Sequence, residues 1–166
     1  MDVDDLFAKH QVALLRYLTR FAGDPEVAAD AAQDAYLRIL DSPPRNRGNV
    51  KAWLFTVATN VIRDGWKRDN RAERLVNAPA HTQTATERPD PHTAVEQAER
   101  AELARRMLAK LSERERTILL MWAEGFKHRE IAEAVGTTTK TISPTIARAL
   151  KKLASDVERY LREYLK

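Results

Sequence analysis

Asp30 and Asp34 stand four residues apart, so on a helix both carboxylates fall on one face. With a third ligand such a pair could hold a divalent cation for hydrolytic or phosphoryl chemistry. No third ligand is in register. His10, His81, His92 and His128 are scattered, and the chain has no cysteine. Thiolate metal sites and disulfides are excluded, and the expectation is a protein with no catalytic residues, no metal and no cofactor. What remains is charge. Residues 1–44 carry four basic side chains against eight acidic ones, whereas residues 45–74 carry eight basic against three acidic, with Trp53 and Trp66 nearby. Basic clusters attract phosphate and aromatics stack on unpaired bases. The competing reading of such a run is a solvated helix face.

The elements that position these residues are helical. Only 5 of 166 residues are glycine, and β-branched runs are rare. Phe7, Leu14, Leu18 and Phe21 recur at helical spacing. Asp24-Pro25-Glu26 is a helix start, with Asp24 as the cap and Pro25 at the first helical position. Ala28, Ala31, Ala32, Ala35 and Ile39 then give a narrow apolar face. Prolines and a glycine keep residues 41–49 out of a helix interior. Trp53, Leu54, Val57, Ala58 and Val61 predict the buried stripe of the next helix, and Thr56, Asn60, Arg63 and Lys67 its polar stripe.

Residues 77–93 hold three prolines and no large apolar residue, the composition of a flexible linker. Helical periodicity resumes around Val95 and runs through Leu103, Met107, Leu108 and Leu111. Ser112 to Glu115 is a capping box. The short segment from His128 to Val135 closes on Gly136, and a basic helix follows, which is the helix-turn-helix pattern. Its expected core is Ile118, Leu119, Trp122, Ile131, Ala132 and Val135. The prediction is an all-α chain of two small helical domains, 1–76 and 94–166, joined by a flexible linker over 77–93. The longest apolar run, Ile118 to Ala123, is far too short to cross a membrane. The acidic N-terminus has no signal-peptide core, so a cytoplasmic protein with no membrane insertion is expected.

Several segments, in this order and spacing, resemble bacterial sigma factors of the extracytoplasmic function (ECF) group, small two-domain members of the sigma-70 family. They are AGDPEVAADAAQDAYLRIL (Ala22 to Leu40), NVKAWLFTVATNVIRDGWKRDNR (Asn49 to Arg71), LSERERTILLMWAEGFKHREIAEAVG (Leu111 to Gly136) and ARALKKL (Ala147 to Leu153). The resemblance implies that the chain binds core RNA polymerase and directs it to promoters. The first domain would read the minus-ten element and help melt it. The second, a helix-turn-helix of winged-helix-like, sigma region 4 type, would hold the minus-thirty-five element. It also implies contacts to the β′ clamp coiled coil and the β flap, a linker threaded towards the RNA-exit path, and an anti-sigma factor as a regulatory partner. One rival is a conventional helix-turn-helix regulator whose N-terminal module senses a signal or dimerises. Another is a nucleic-acid enzyme built on Asp30 and Asp34.

By this resemblance Asp30, Gln33, Asp34, Leu37 and Arg38 form the polymerase-docking face. Leu37 is its apolar anchor, ringed by groups able to make charged hydrogen bonds. Val27 and Ala29 stand where the family often carries further acid. Arg45, Arg47, Asn49, Lys51, Asn60, Arg63, Trp66, Lys67 and Arg68 are the minus-ten set. Asn60 supplies amide groups for a flipped base, and Arg63, Lys67 and Arg68 suit phosphates. Trp66 either stacks on DNA or packs against Ile62, and Trp53 belongs to the core. Thr139, Lys140, Thr141, Ser143, Thr145, Arg148 and Lys151 are the minus-thirty-five set.

Pro144 complicates the last set. In a helix capped at Thr138 it would remove a backbone bond and clash with the Lys140 carbonyl, at a cost of about 3 kcal/mol. The sequence therefore predicts a recognition helix starting near Thr141, where the missing N–H has no intrahelical partner.

Overall fold

The computed structural model describes residues 3–44, 49–73 and 91–164. Among them are seven helices and no strand: α1 (Val3–Ala22), α2 (Pro25–Asp41), α3 (Val50–Glu73), α4 (Pro91–Ala109), α5 (Glu113–Ala123), α6 (His128–Val135) and α7 (Thr139–Tyr164). The chain divides into two compact units, Met1–Val95 and Glu96–Lys166.

In the first unit α1, α2 and α3 pack on one another. Gly23, at φ 74°, closes α1, and Asp24 opens α2 by accepting from the N–H groups of Glu26 and Val27 (2.8 and 3.3 Å). The alanine face of α2 is buried, with Ile39 at its end. Small side chains let α2 approach its neighbours closely, so the bulk of the core comes from α1 and α3. Leu14, Tyr17, Leu18 and Phe21 of α1 and Leu54, Phe55, Ala58 and Ile62 of α3 are all buried there. Tyr17 and Phe55 have ring centroids 5.1 Å apart. The buried Thr59 hydroxyl donates to the Phe55 carbonyl (2.7 Å), so Tyr17 Oη donates to it in turn (2.9 Å). A buried polar pair is tolerated only when its hydrogen bonds are complete.

That pair corrects the expected stripe of α3. Leu54 and Ala58 are buried as predicted, but Phe55, Thr59 and Ile62 complete the inner face, and Trp53, Val57 and Val61 are only half-buried. The helix is apolar around most of its girth. Periodicity alone therefore does not fix its rotation, which is decided by packing against α1 and α2, with Tyr17 of α1 paired to Thr59.

The expected linker lies mostly outside the described residues, but Pro91, His92 and Thr93 form the first turn of α4. The Asp90-Pro91 sequence repeats the Asp24-Pro25 start, and proline suits a first helical position. Val95 is exposed, and only the C-terminal end of α4 enters a core, through Met107 and Leu108.

The second unit is aliphatic. Ile118, Leu119, Leu120, Met121, Ile131, Ile142, Ile146 and Ala149 are buried together with Phe126. Trp122, expected in the core, is 42% exposed, and Val135 is half-buried. α5 leaves Trp122 outside because Leu119, Leu120 and Met121 already fill its inner side. The Ser112 capping box is formed, with Glu115 N–H donating to Ser112 Oγ (3.1 Å) and Ser112 N–H to Glu115 Oε2 (2.9 Å). Gly136 ends α6 in the left-handed region at φ 66°, a conformation glycine adopts without steric cost.

Candidate functional site

On α2, Asp30, Gln33, Leu37 and Arg38 are exposed and Asp34 is partly so, on the side away from the alanine face. Arg38 Nη2 donates to Asp34 Oδ2 at 3.0 Å, an exposed i, i+4 pair that contributes about 0.3–0.5 kcal/mol. Its larger effect is to hold both charges ready at the rim. Leu37 is 54% exposed and Leu40, one turn on, is 51% exposed. Two large leucines left outside a completed core make an apolar centre with a charged rim. Leu40 was missed by sequence reasoning, although its i+3 spacing from Leu37 was visible.

On α3 the expected minus-ten residues divide. Asn60, Lys67 and Arg68 are exposed, and Arg63, half-buried, donates to Asn60 Oδ1 (3.3 Å). Asn60 therefore keeps its amide NH2 group for another acceptor. Lys67 and Arg68 line an open cleft with Asp64 and with Arg38 of α2. Asn49 is a cap instead: its Oδ1 accepts the Ala52 N–H (3.2 Å) at the start of α3. Lys51 lies over the Phe55 ring, 5.7 Å from the centroid. Burial, with Lys51 and Lys9 adding to it, lowers the pKa of His10. Trp66 stacks on Phe21 of α1, centroids 5.4 Å apart, so one face of its ring is taken up within the bundle. Arg45 and Arg47 lie outside the described residues.

On the second unit, α6 and α7 are joined by the three-residue turn Gly136–Thr138. α7 starts at Thr139 and runs through Pro144 without a break, which overturns the expected start near Thr141. Two features explain it. The Thr138 carbonyl accepts both the N–H and the hydroxyl of Thr141 (3.1 and 2.8 Å), which closes the first turn. Ile142 and Ile146 are buried, each worth about 1.5–3 kcal/mol, which offsets the proline. Lys140 and Pro144 are exposed, so the carbonyl that lost its helical donor sits where water can reach it.

Thr139, Lys140, Thr141, Ser143, Arg148 and Lys151 are exposed on α7. Thr145 is not: it is 7% exposed, donates to the Thr141 carbonyl (2.7 Å) and accepts from Arg148 (3.1 Å). Ser143 Oγ pairs with His128 Nδ1 at 3.2 Å. His128 carried no signal for this in the sequence, because the contact spans fifteen residues and the α6–α7 turn. Two ion pairs brace α7 against the rest of the unit, Lys152 with Glu115 (2.7 Å) and Lys110 with Asp156 (2.8 Å). The hydrogen bond from Lys152, aided by the Ser112 N–H, lowers the pKa of Glu115.

Comparison with known proteins follows the same division. Residues 6–72 match the sigma-70 region 2 family and residues 101–153 match sigma-70 region 4. The chain is 25% identical to the RNA polymerase sigma factor YlaC of Bacillus subtilis, over 97% of this chain and 95% of that protein. It is 30% identical to the RNA polymerase sigma factor CarQ of Myxococcus xanthus, over 87% and 80% of the two chains. Among solved structures, the sigma factor RpoE of Bartonella quintana, crystallised with the anti-sigma factor NepR, has the same fold. Its TM-score is 0.72 at 20% identity, covering 93% of this chain and 97% of that one. The chain belongs to the sigma-70 family, in its ECF group. Its function is that of a sigma factor in promoter-specific transcription.

Proposed function

We propose a division of labour between the two units. α2 docks on core RNA polymerase, at the β′ clamp coiled coil, through Asp30, Gln33, Asp34, Leu37 and Arg38, with Leu40 joining Leu37 as the apolar centre. α3 and the loop before it take the melted minus-ten strand. Asn60 meets a base there and Lys67 and Arg68 meet phosphates. The α6–α7 pair holds the minus-thirty-five duplex, and the same unit meets the β flap. The chain itself catalyses nothing, because the polymerase carries the chemistry, and it works in the cytoplasm alongside the polymerase.

The observation that carries this reading is the exposed Leu37–Leu40 pair. A monomeric helix gains nothing from it, whereas a docking helix needs an apolar centre with a charged rim. The Bartonella relative is held by an anti-sigma factor, and a partner of that kind is the natural regulator of this chain too. Run-off transcription with purified core polymerase on genomic promoter fragments tests the proposal. Promoter-specific transcripts that depend on this chain are expected, and their absence would reject it.

A further inference from the structure

α7 offers the duplex an outer face with an unusual centre. Ile142, Thr145, Ile146 and Ala149 point inward and are buried. At 100° per residue, Lys140, Pro144, Ala147 and Lys151 fall within about 60° of arc on the opposite side, and all four are exposed. The polar side chains that flank this row each make a hydrogen bond within the protein. Ser143 turns to His128 (3.2 Å), the Thr141 hydroxyl to the Thr138 carbonyl (2.8 Å), and Arg148 to Thr145 (3.1 Å). Lys140 and Lys151 have no ion-pair partner among the described residues. They stand about 16 Å apart along the axis, and the two apolar residues lie between them, about 4.5 Å apart.

A recognition helix enters the major groove by this outer, N-terminal face. There the thymine C5-methyl is the one apolar group a base pair presents, and alanine is among the side chains that contact it. A proline ring and an alanine methyl have no donor for guanine O6 or N7 and no acceptor for the cytosine amine. Resting on the reading of this unit as the minus-thirty-five module, we infer that Pro144 and Ala147 are its specificity-determining residues. They select A·T pairs at the centre of the element by contact with thymine methyls, while Lys140 and Lys151 bracket that centre on phosphates. The helix therefore reads its core step by shape and methyl contact, without a basic side chain.

The test uses the full chain with core polymerase. Promoters randomised across the upstream and minus-ten elements are selected by holoenzyme binding, and each thymine at the centre of the upstream element is then replaced by deoxyuridine, which lacks only the methyl. Selected sites should carry A·T pairs at the centre. Each methyl removed should weaken holoenzyme binding about fourfold, equivalent to ~0.8 kcal/mol per buried carbon. In Pro144→Ala and Ala147→Gly variants the uracil effect should shrink at the base pair each residue faces. Pro144→Ala removes a helix-breaking residue, so misfolding does not confound it. Selected G·C pairs at the centre, equal binding of uracil and thymine promoters, or a uracil effect unchanged in both variants would overturn the inference. Selection of no upstream or minus-ten sequence at all would instead reject the sigma-factor mechanism itself.

Discussion

α2 and α7 both carry a proline within their first two turns, and they accommodate it in opposite ways. Pro25 occupies the first position of α2, behind the Asp24 cap, where its missing N–H has no intrahelical partner. Pro144 lies inside α7, where it removes a bond the helix would otherwise make. α2 is thus written by its own sequence. α7 is held in shape by what it packs against, Ile142 and Ile146 inside and a fixed three-residue turn behind. Local rules decide where they meet no opposition, and a few buried side chains override them where they do. The difference also marks function. The helix proposed to dock rests on favourable local choices, whereas the helix proposed to read DNA keeps an unfavourable residue on its exposed face.

Substitution of Pro144 itself, and of the Asp24 cap behind Pro25, separates the two cases. Pro144→Ala restores the Lys140 carbonyl's donor and should stabilise the second unit by about 3 kcal/mol. Hydrogen exchange of α7 amides would report it as slower opening. If exchange is unchanged, the proline carries no cost and the account of α7 is wrong. The same variant should weaken methyl discrimination at the base pair that Pro144 faces, which makes it a trade of specificity for stability. Asp24→Ala removes the cap behind Pro25 and should destabilise the first unit by about 1 kcal/mol, read as a lower denaturant midpoint for the α1–α3 bundle.

The smallest effect is expected at Glu115, which joins the α5 capping box to Lys152 of α7. Its pKa is lowered in the folded chain. The resulting stability is fully present above the unfolded value, near 4.5, and is lost as pH falls through the depressed folded value. Glu115→Gln should cost at most about 1 kcal/mol at neutral pH and should flatten the acid side of the second unit's stability profile. A variant with the same slope as wild type below pH 4.5 would show that the Lys152 pair contributes nothing.

Sequence alone was a good guide wherever the signal was local. The start of α2, the Ser112 capping box, the Gly136 closure of α6 and the exposed face around Leu37 all follow from residues within a few positions of one another. Four features were not legible from residue type and periodicity alone: two depended on distant partners, and two were decided within their own helix. The rotation of α3 needed the Tyr17–Thr59 bond, forty-two residues apart. Trp66 needed Phe21, and Trp122 was left outside a core already filled by its neighbours on α5. Thr145, polar and expected at the DNA, is buried because its hydroxyl finds a carbonyl and an arginine within α7. The start of α4 was different. Its Asp90-Pro91 signal was local and legible, and was masked by the linker-like composition around it.

The proposed role of the exposed α2 face is docking on core RNA polymerase. Affinity of the full chain for core RNA polymerase, compared between wild type and Leu37→Asp, tests it most directly. Leu37 is exposed, so the fold should survive, and an unchanged near-ultraviolet signal from the Phe21–Trp66 stack would verify that. At least a thirtyfold loss of affinity, about 2 kcal/mol, is expected for the anchor of an interface. Equal affinity of the two proteins would contradict it.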